Sequence, residues 1–224
     1  MGRGSSVVAR AKPRKVARPP FVRGLDDTRA LLVAAARDVF LESGPANFSL
    51  REVARRVGVS AAAVYRHFDG KEALVFAACT QGFQVFASYL VRALVETTPL
   101  ARLLATGDNY RAFALENQRD YRFIFMSPVD EVESDASSKL AASGKSALPQ
   151  DTTFWFLVDR VKECIAAGVL APGVPEHVAV QIWAHVHGIV SLRLSGRLTD
   201  LGDDEAFSAF YRSSVAGLLG GLAP

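Results

Sequence analysis

Apolar residues along this chain recur every three to four positions, in one stretch after another, and that regularity constrains the fold more than any other feature. Leu32, Ala35, Ala36, Val39 and Phe40 stand at i, i+3, i+4, i+7 and i+8, the stripe that an α-helix turns towards a core. The spacing returns in Phe76, Phe83 and Leu90, and again in Phe207, Phe210, Tyr211, Ser214, Val215 and Leu218. Val, Ile and Thr nowhere alternate with polar residues as a half-buried strand requires. The sequence therefore predicts an all-α protein. At 224 residues, half of them hydrophobic, the chain is long enough for a small domain followed by a larger one.

Start and stop signals divide the pattern into helices. Asp26 or Asp27 is placed to cap the first, and Gly44-Pro45 to stop it. Ser49 with Glu52 three residues later reads as a capping box opening a short helix over 49–57. Ser60 caps a second short helix over 60–67, and Asp69 with Glu72 repeats the capping box before a long helix from Lys71 to about Glu96. Thr98-Pro99 is a cap followed by a first-turn proline. Gly107-Asp108 is expected to break that helix before another runs to Met126. Residues 127–150 lack periodicity and read as a mobile loop, after which helices are expected over 151–167, 175–195 and 204–219.

Charge is unevenly distributed. Residues 1–24 hold seven basic residues (Arg3, Arg10, Lys12, Arg14, Lys15, Arg18, Arg23) and no acid, while the chain as a whole carries only +3. An unpatterned basic segment beside a near-neutral domain reads as a flexible arm for a polyanion. Cys79 and Cys164, far apart in apolar helical runs, read as reduced core thiols. No uninterrupted apolar run approaches the ~18 residues of a membrane span. A cytoplasmic protein with no membrane partner is expected.

Catalytic signatures are missing from the sequence. It contains no H-E-x-x-H, G-x-S-x-G, P-loop or paired-Cys motif. His185 and His187 are two apart, so on a helix they point about 160° from each other and cannot easily share one metal. No catalysis, cofactor or metal is expected.

The two short helices flanking Gly58-Val59 are the strongest functional signal. A tight glycine-containing turn between helices of that length is the helix-turn-helix arrangement, whose second helix enters the DNA major groove. Val53, Ala54 and Val64 can pack the pair together, and Gly58 supplies the turn. A plain helical hairpin meets the same demands. The alternative is a helical interaction protein with a basic tail that adheres to nucleic acid without a specific site.

The stretch FSLREVARRVGVSAAAVYRHFDGKEAL resembles the DNA-binding domain of the tetracycline-repressor (TetR) family. The resemblance rests on the Ala54…Gly58-Val59-Ser60 turn, the Val64-Tyr65-x-His67-Phe68 ending and Lys71-x-x-Leu74, and spans residues 28–76. It implies a three-helix DNA-binding domain over 25–71, after the arm at 1–24, and a helical ligand-binding and dimerisation domain over 72–224. It places Ser49, Tyr65, His67 and Lys71 on the phosphate backbone, and Arg51 with Ser60, Ala61, Ala62 and Ala63 at base edges. Arg66 is a further candidate base contact. An alanine helix fits deep in a groove, where a methyl can meet a thymine methyl but makes no hydrogen bond. Phosphate contacts then set its register.

Beyond residue 76 one local match remains. Trp183-Ala-His-Val-His187-Gly188 resembles the Trp-x-x-x-His-Gly signature of one C-terminal subgroup of that family. The resemblance implies that residues 175–195 and 204–219 pair with a second copy as a four-helix interface, matching a two-fold DNA operator. The aromatic interior suggests a pocket for a small hydrophobic effector. Its candidate walls are Phe83, Phe86, Tyr110, Phe113, Tyr121, Phe125, Trp155 and Trp183, with Asn117, Cys164 and His187 as polar contacts. Asn109, Gln118 and His185 are further polar candidates.

Overall fold

A computed structural model describes residues 25–127 and 149–224. The predicted arm at 1–24 and nearly all of the predicted loop at 127–150 lie outside the described residues. Among the described residues the chain is helical, with no strand. Its helices are α1 (Leu25–Asn47), α2 (Leu50–Val57), α3 (Ala61–Tyr65) and α4 (Lys71–Leu90). A 3-10 turn, Val91–Val95, extends α4. Then come α5 (Pro99–Glu116), α6 (Gln118–Met126), α7 (Pro149–Ala166), α8 (Pro175–Leu194) and α9 (Asp204–Gly221).

Several boundaries differ from the sequence reading for identifiable reasons. Helix α1 begins at Leu25, so Asp26 and Asp27 lie inside its first turn instead of preceding it as a cap. The expected capping box at Ser49 does not form. Ser49 makes no side-chain cap bond, and the Glu52 carboxylate, the other half of the box, is held by Arg55 and Arg56 instead. Asp69 is likewise not a cap; Gly70 holds that position without a side-chain bond. Helix α3 is shorter than expected, ending at Tyr65. The caps at Ser60 and Thr98 do form, each accepting a backbone N–H three residues on at 3.2 Å.

The expected break at Gly107 is absent, and α5 runs straight through it. The Tyr211 hydroxyl donates to the Gly107 carbonyl at 2.7 Å, so the glycine makes room for a ring arriving from α9. The true break comes at Asn117, whose non-helical backbone (φ −121°, ψ 49°) turns α5 into α6.

Helix α4 is the axis of the molecule. It buries Leu74, Val75, Ala78, Cys79, Gly82, Phe83, Phe86, Tyr89 and Leu90 against α1, α5, α6 and α7. Residues 71–95 are long and apolar enough to cross a membrane by length and mean hydropathy (1.5), yet half of that window is buried inside this fold. The approach of α6 to α4 is close. A Cβ added at Gly82 would lie 2.7 Å from Ile124 Cγ2, inside van der Waals contact. Gly82→Ala should therefore overpack this contact and destabilise the protein by about 1–3 kcal/mol. Urea unfolding checks it, and adding Ile124→Ala should recover part of that loss, which strictly additive effects would exclude.

Candidate nucleic-acid interface and effector site

The turn between α2 and α3 has the geometry its glycine suggested. Gly58 adopts left-handed backbone angles (φ 78°, ψ 27°), and its N–H and that of Val59 both return to the Ala54 carbonyl at 3.0 Å. Val53, Ala54, Val64 and Phe68 are buried between α1 and the α2–α3 pair. This leaves one side of α3 open. Ser60, Ala62, Tyr65 and Arg66 are exposed, Tyr65 at 61 %, and Arg51 on α2 is exposed beside them in sequence order. Ser49, Ala61 and His67 are half-buried.

Two of the predicted DNA contacts are already engaged within the fold. Ala63 is buried at 6 % exposure, so its methyl packs inward and is not offered to a groove. Lys71 is not free: its ammonium donates to the Pro45 carbonyl at 2.8 Å and lies 5.8 Å from the Phe48 ring centre. An ammonium has three protons, so a phosphate could still take another. Arg55 and Arg56 are engaged by acids. Arg55 grips Glu52 through two bonds of 2.6 and 2.7 Å, and Arg56 reaches Glu42 at 2.5 and 3.0 Å. Hydrogen bonds from Arg55 and Arg56 hold the Glu52 carboxyl down at about 2.

Helix α6 joins these amino-terminal helices to the rest. On one side Arg37 of α1 donates to Asp120 at 2.6 Å, and Arg119 donates back to Asp38 at 3.0 Å. These crossed pairs line an open groove of about 710 Å³ between α1 and the α5–α6 elbow. At the elbow Asn117 donates to the Tyr89 hydroxyl at 3.0 Å, and Tyr89 donates to Glu116 at 2.6 Å.

On its other side α6 carries the aromatic interior. Phe125 is the hub, with ring centres 5.3–5.9 Å from Tyr121, Phe86, Phe83, Tyr110 and His187. Phe113 stacks beside Phe86 at 5.0 Å, and Trp183 lies 6.3 Å from Phe125. Within this shell sits a polar node. The Tyr110 and Tyr121 hydroxyls are 2.8 and 2.9 Å from His187 Nδ1, 3.3 Å from each other, and Tyr121 is 3.1 Å from Ser191 Oγ. Burial pushes both tyrosine hydroxyls up from their ordinary range and pulls His187 down.

The structure thus brings Phe83, Phe86, Tyr110, Phe113, Tyr121, Phe125, Trp183 and His187 together. Trp155 is 47 % exposed, edge-on to Phe154 and facing Lys162. Cys164 is fully buried in α7, where burial pushes its thiol up. Asn117 serves the elbow. Of the further candidates, Gln118 is exposed on the Leu115 carbonyl, Asn109 is half-buried, and His185 reaches Ser214 of α9 at 3.0 Å. Ser191 was missed, although it follows His187 by one helical turn and so shares its face. Among the described residues no cluster of His, Cys, Asp and Glu could hold a metal ion.

Comparison with known proteins agrees with this geometry. Residues 32–78 match the bacterial regulatory proteins of the tetR family, and residues 103–218 match the tetracyclin repressor-like C-terminal domain. The chain belongs to the TetR family. Among its relatives, the HTH-type transcriptional activator FasR of Mycolicibacterium smegmatis is 33 % identical over 101 residues, 45 % of this chain and 46 % of FasR. The matched stretch is thus under half the length of that relative. A protein of unknown function from Rhodococcus sp. RHA1 shares the fold at TM-score 0.67 and 27 % identity, over 93 % of this chain and all of the other. The TetR family regulator PfmR of Thermus thermophilus matches at TM-score 0.65 over 86 % of this chain and 99 % of its own, and at 17 % identity the likeness is one of fold.

In this TetR-family chain the outer face of α8 and α9 is conspicuously open. Val180, Leu192 and Phe210 are 39–47 % exposed, and open space lies over Gly188, Gly217 and Gly220. Burial makes His187, on the opposite side of α8 from His185, harder to protonate than it is in the unfolded chain, where it protonates near 6.5. The unfolded state then binds more protons, so this group's stabilisation is present above that pH and is lost as pH falls below it. Wild type should lose stability as pH falls below about 6.5, and His187→Phe should shed that component in paired urea titrations.

Proposed function

We propose that this chain is a dimeric, sequence-specific DNA-binding transcription regulator, a repressor released from a palindromic operator by a small hydrophobic effector. The observation that carries the reading is the open face of α3, where Ser60, Ala62, Tyr65 and Arg66 stand exposed on a helix seated by the Gly58 turn, within a TetR-family chain. Helices α1 to α3, with the start of α4 at Lys71, form the DNA-binding unit, and residues 72–224 form the effector and dimer unit.

Base reading falls on Ser60, Arg51 and Arg66, with Ala61 and Ala62 giving close approach and methyl contact. Tyr65, His67, Ser49 and the spare protons of Lys71 hold phosphates. With so few polar groups at the tip of α3, DNA shape and the basic arm carry an unusual share of selectivity. The exposed α8–α9 face supports pairing of two copies through residues 175–195 and 204–219, since small residues allow close helix approach and Val180, Leu192 and Phe210 gain burial. The effector occupies the aromatic interior and need favour the non-DNA conformation by only ~1–3 kcal/mol to act as a switch.

Selection of bound duplexes from a random library tests the reading. A palindromic consensus is expected, bound far more tightly than bulk DNA. Arg51→Ala should relax preference at its base pair, at a cost of ~1–3 kcal/mol on the best site, while Tyr65→Phe should weaken all sequences alike. Weak, strongly salt-dependent binding with no consensus would instead favour a helical interaction protein with an adherent tail.

A further inference from the structure

The arginines of α1 to α3 are not all used alike. Arg37, Arg55 and Arg56 are spent on carboxylates, those of Asp120, Glu52 and Glu42. Arg51 and Arg66 are exposed, on α2 and just past the end of α3. Arg29, in the second turn of α1, differs from both groups. It is exposed, no acid among the described residues pairs with it, Asp69 included, and its guanidinium carbon lies over the Phe68 ring, 4.9 Å from the centre. Phe68 is only 5 % exposed, so the seat is fixed in the core of the three helices. A contact of this kind uses the charge of a guanidinium and none of its five N–H donors. The planar fork stays available for two oxygens of one phosphate, on a side chain already held in place.

We infer that Arg29 clamps a phosphate of the DNA backbone from α1, and that Phe68 is the residue that positions it. This rests on the DNA-binding reading above and adds to it a contact from a helix outside the α2–α3 pair. The seat belongs to the short segment between α3 and α4, directly after exposed Tyr65 and Arg66, and the His67 ring lies 6.5 Å from that of Phe68. Arg29 is thereby brought to the edge of the α3 face although it stands far from it in sequence. The basic stretch 1–24 ends five residues before it. On its other side Arg29 borders a shallow groove of about 220 Å³ with Ala30, Val33, Gln81 and Gln84, none of which is an acid that could compete for the guanidinium. A stabilising role alone explains the contact poorly, because an exposed cation over a ring is worth little. A little over two turns along α1 stand Arg37 and Asp38, which are tied to α6. One helix thus carries a backbone contact and the joint to the body.

The test is the salt dependence of duplex binding by the full-length protein, read by anisotropy on the selected site and on bulk duplex. Arg29→Gln removes the charge, and Arg29→Lys keeps it without the planar fork. Arg92→Gln is a matched control: Arg92 is also exposed over a buried ring, 3.8 Å from the centre of Tyr89, but beyond the far end of α4. That is about 30 Å from Lys71 by helix rise, roughly three Debye lengths at 0.1 M salt. Arg29→Gln should weaken binding to every duplex by roughly tenfold at low salt. It should also flatten the slope of log affinity against log salt by about 0.9 per chain, with the selected consensus unchanged. Arg29→Lys should restore the slope but not the full affinity, and Arg92→Gln should change neither. Phe68→Leu should weaken binding in the wild type but no further in Arg29→Gln, whereas equal losses in both backgrounds would overturn its positioning role. A wild-type slope in Arg29→Gln, an equal flattening in Arg92→Gln, or an altered consensus would each overturn the clamp. An unchanged slope beside a clear consensus sinks the clamp and leaves the regulator standing. A flattened slope with no consensus keeps the clamp and sinks the sequence-specific reading.

Discussion

Beside α4, which continues the chain out of the DNA-facing helices and packs on α1, the joint to the rest of the molecule is made by α6, a helix of nine residues. It is clasped to α1 by the Arg37–Asp120 and Arg119–Asp38 pairs, and the first of these is largely removed from water, with side-chain exposures of 20 % and 16 %. The pair lines an open groove and Arg37 Nε also reaches Asp38 at 3.3 Å, so losing one partner strands no fully buried charge and the net energy at stake is modest. Such a contact specifies an angle more than it supplies energy. The same helix is pressed on α4 at Gly82 and tied to α8 through Arg122, which donates to the Leu194 carbonyl at 3.0 Å. It cannot shift in the body without asking the clasp to follow.

The opposite side of α6 explains why that matters. Tyr121 and Phe125 project from it into the aromatic interior, while Arg119 and Asp120 project towards α1. One short, rigid element thus touches the candidate effector site and the DNA-facing helices at once. A bundle packed this closely transmits a displacement instead of absorbing it. The Asn117 elbow, pinned to Tyr89, gives the displacement a pivot.

Sequence reasoning reached the helical elements, the Gly58 turn and most of the aromatic cluster, because these follow from periodicity and from glycine stereochemistry. It failed where another partner, near or far in sequence, outbid the expected one. Glu52 left the Ser49 cap for two arginines, one of them also held by Glu42 fourteen residues away. Gly107 looked like a helix breaker until Tyr211, 104 residues on, filled the space above it. Ala63 and Trp155 were assigned by residue type, but one turns inward and the other outward, and neither residue type announces which way its helix faces. The clasp and the polar node were invisible because both are pairings between helices distant in sequence. Arg37 and Asp120 are 83 residues apart, Tyr110 and His187 are 77.

The central claim is that α6 couples the effector site to the DNA-facing helices through the clasp, and its most direct test is a double-mutant cycle on operator affinity. Arg37→Gln and Asp120→Asn lie away from the exposed face of α3, so neither should matter to DNA unless the clasp sets the angle of the reading helices. The account predicts that each changes operator affinity by more than about threefold, and that the double variant changes it no more than the larger single does, as expected for partners in one interaction. Operator affinity unmoved by either substitution, or two effects that simply add, would contradict it.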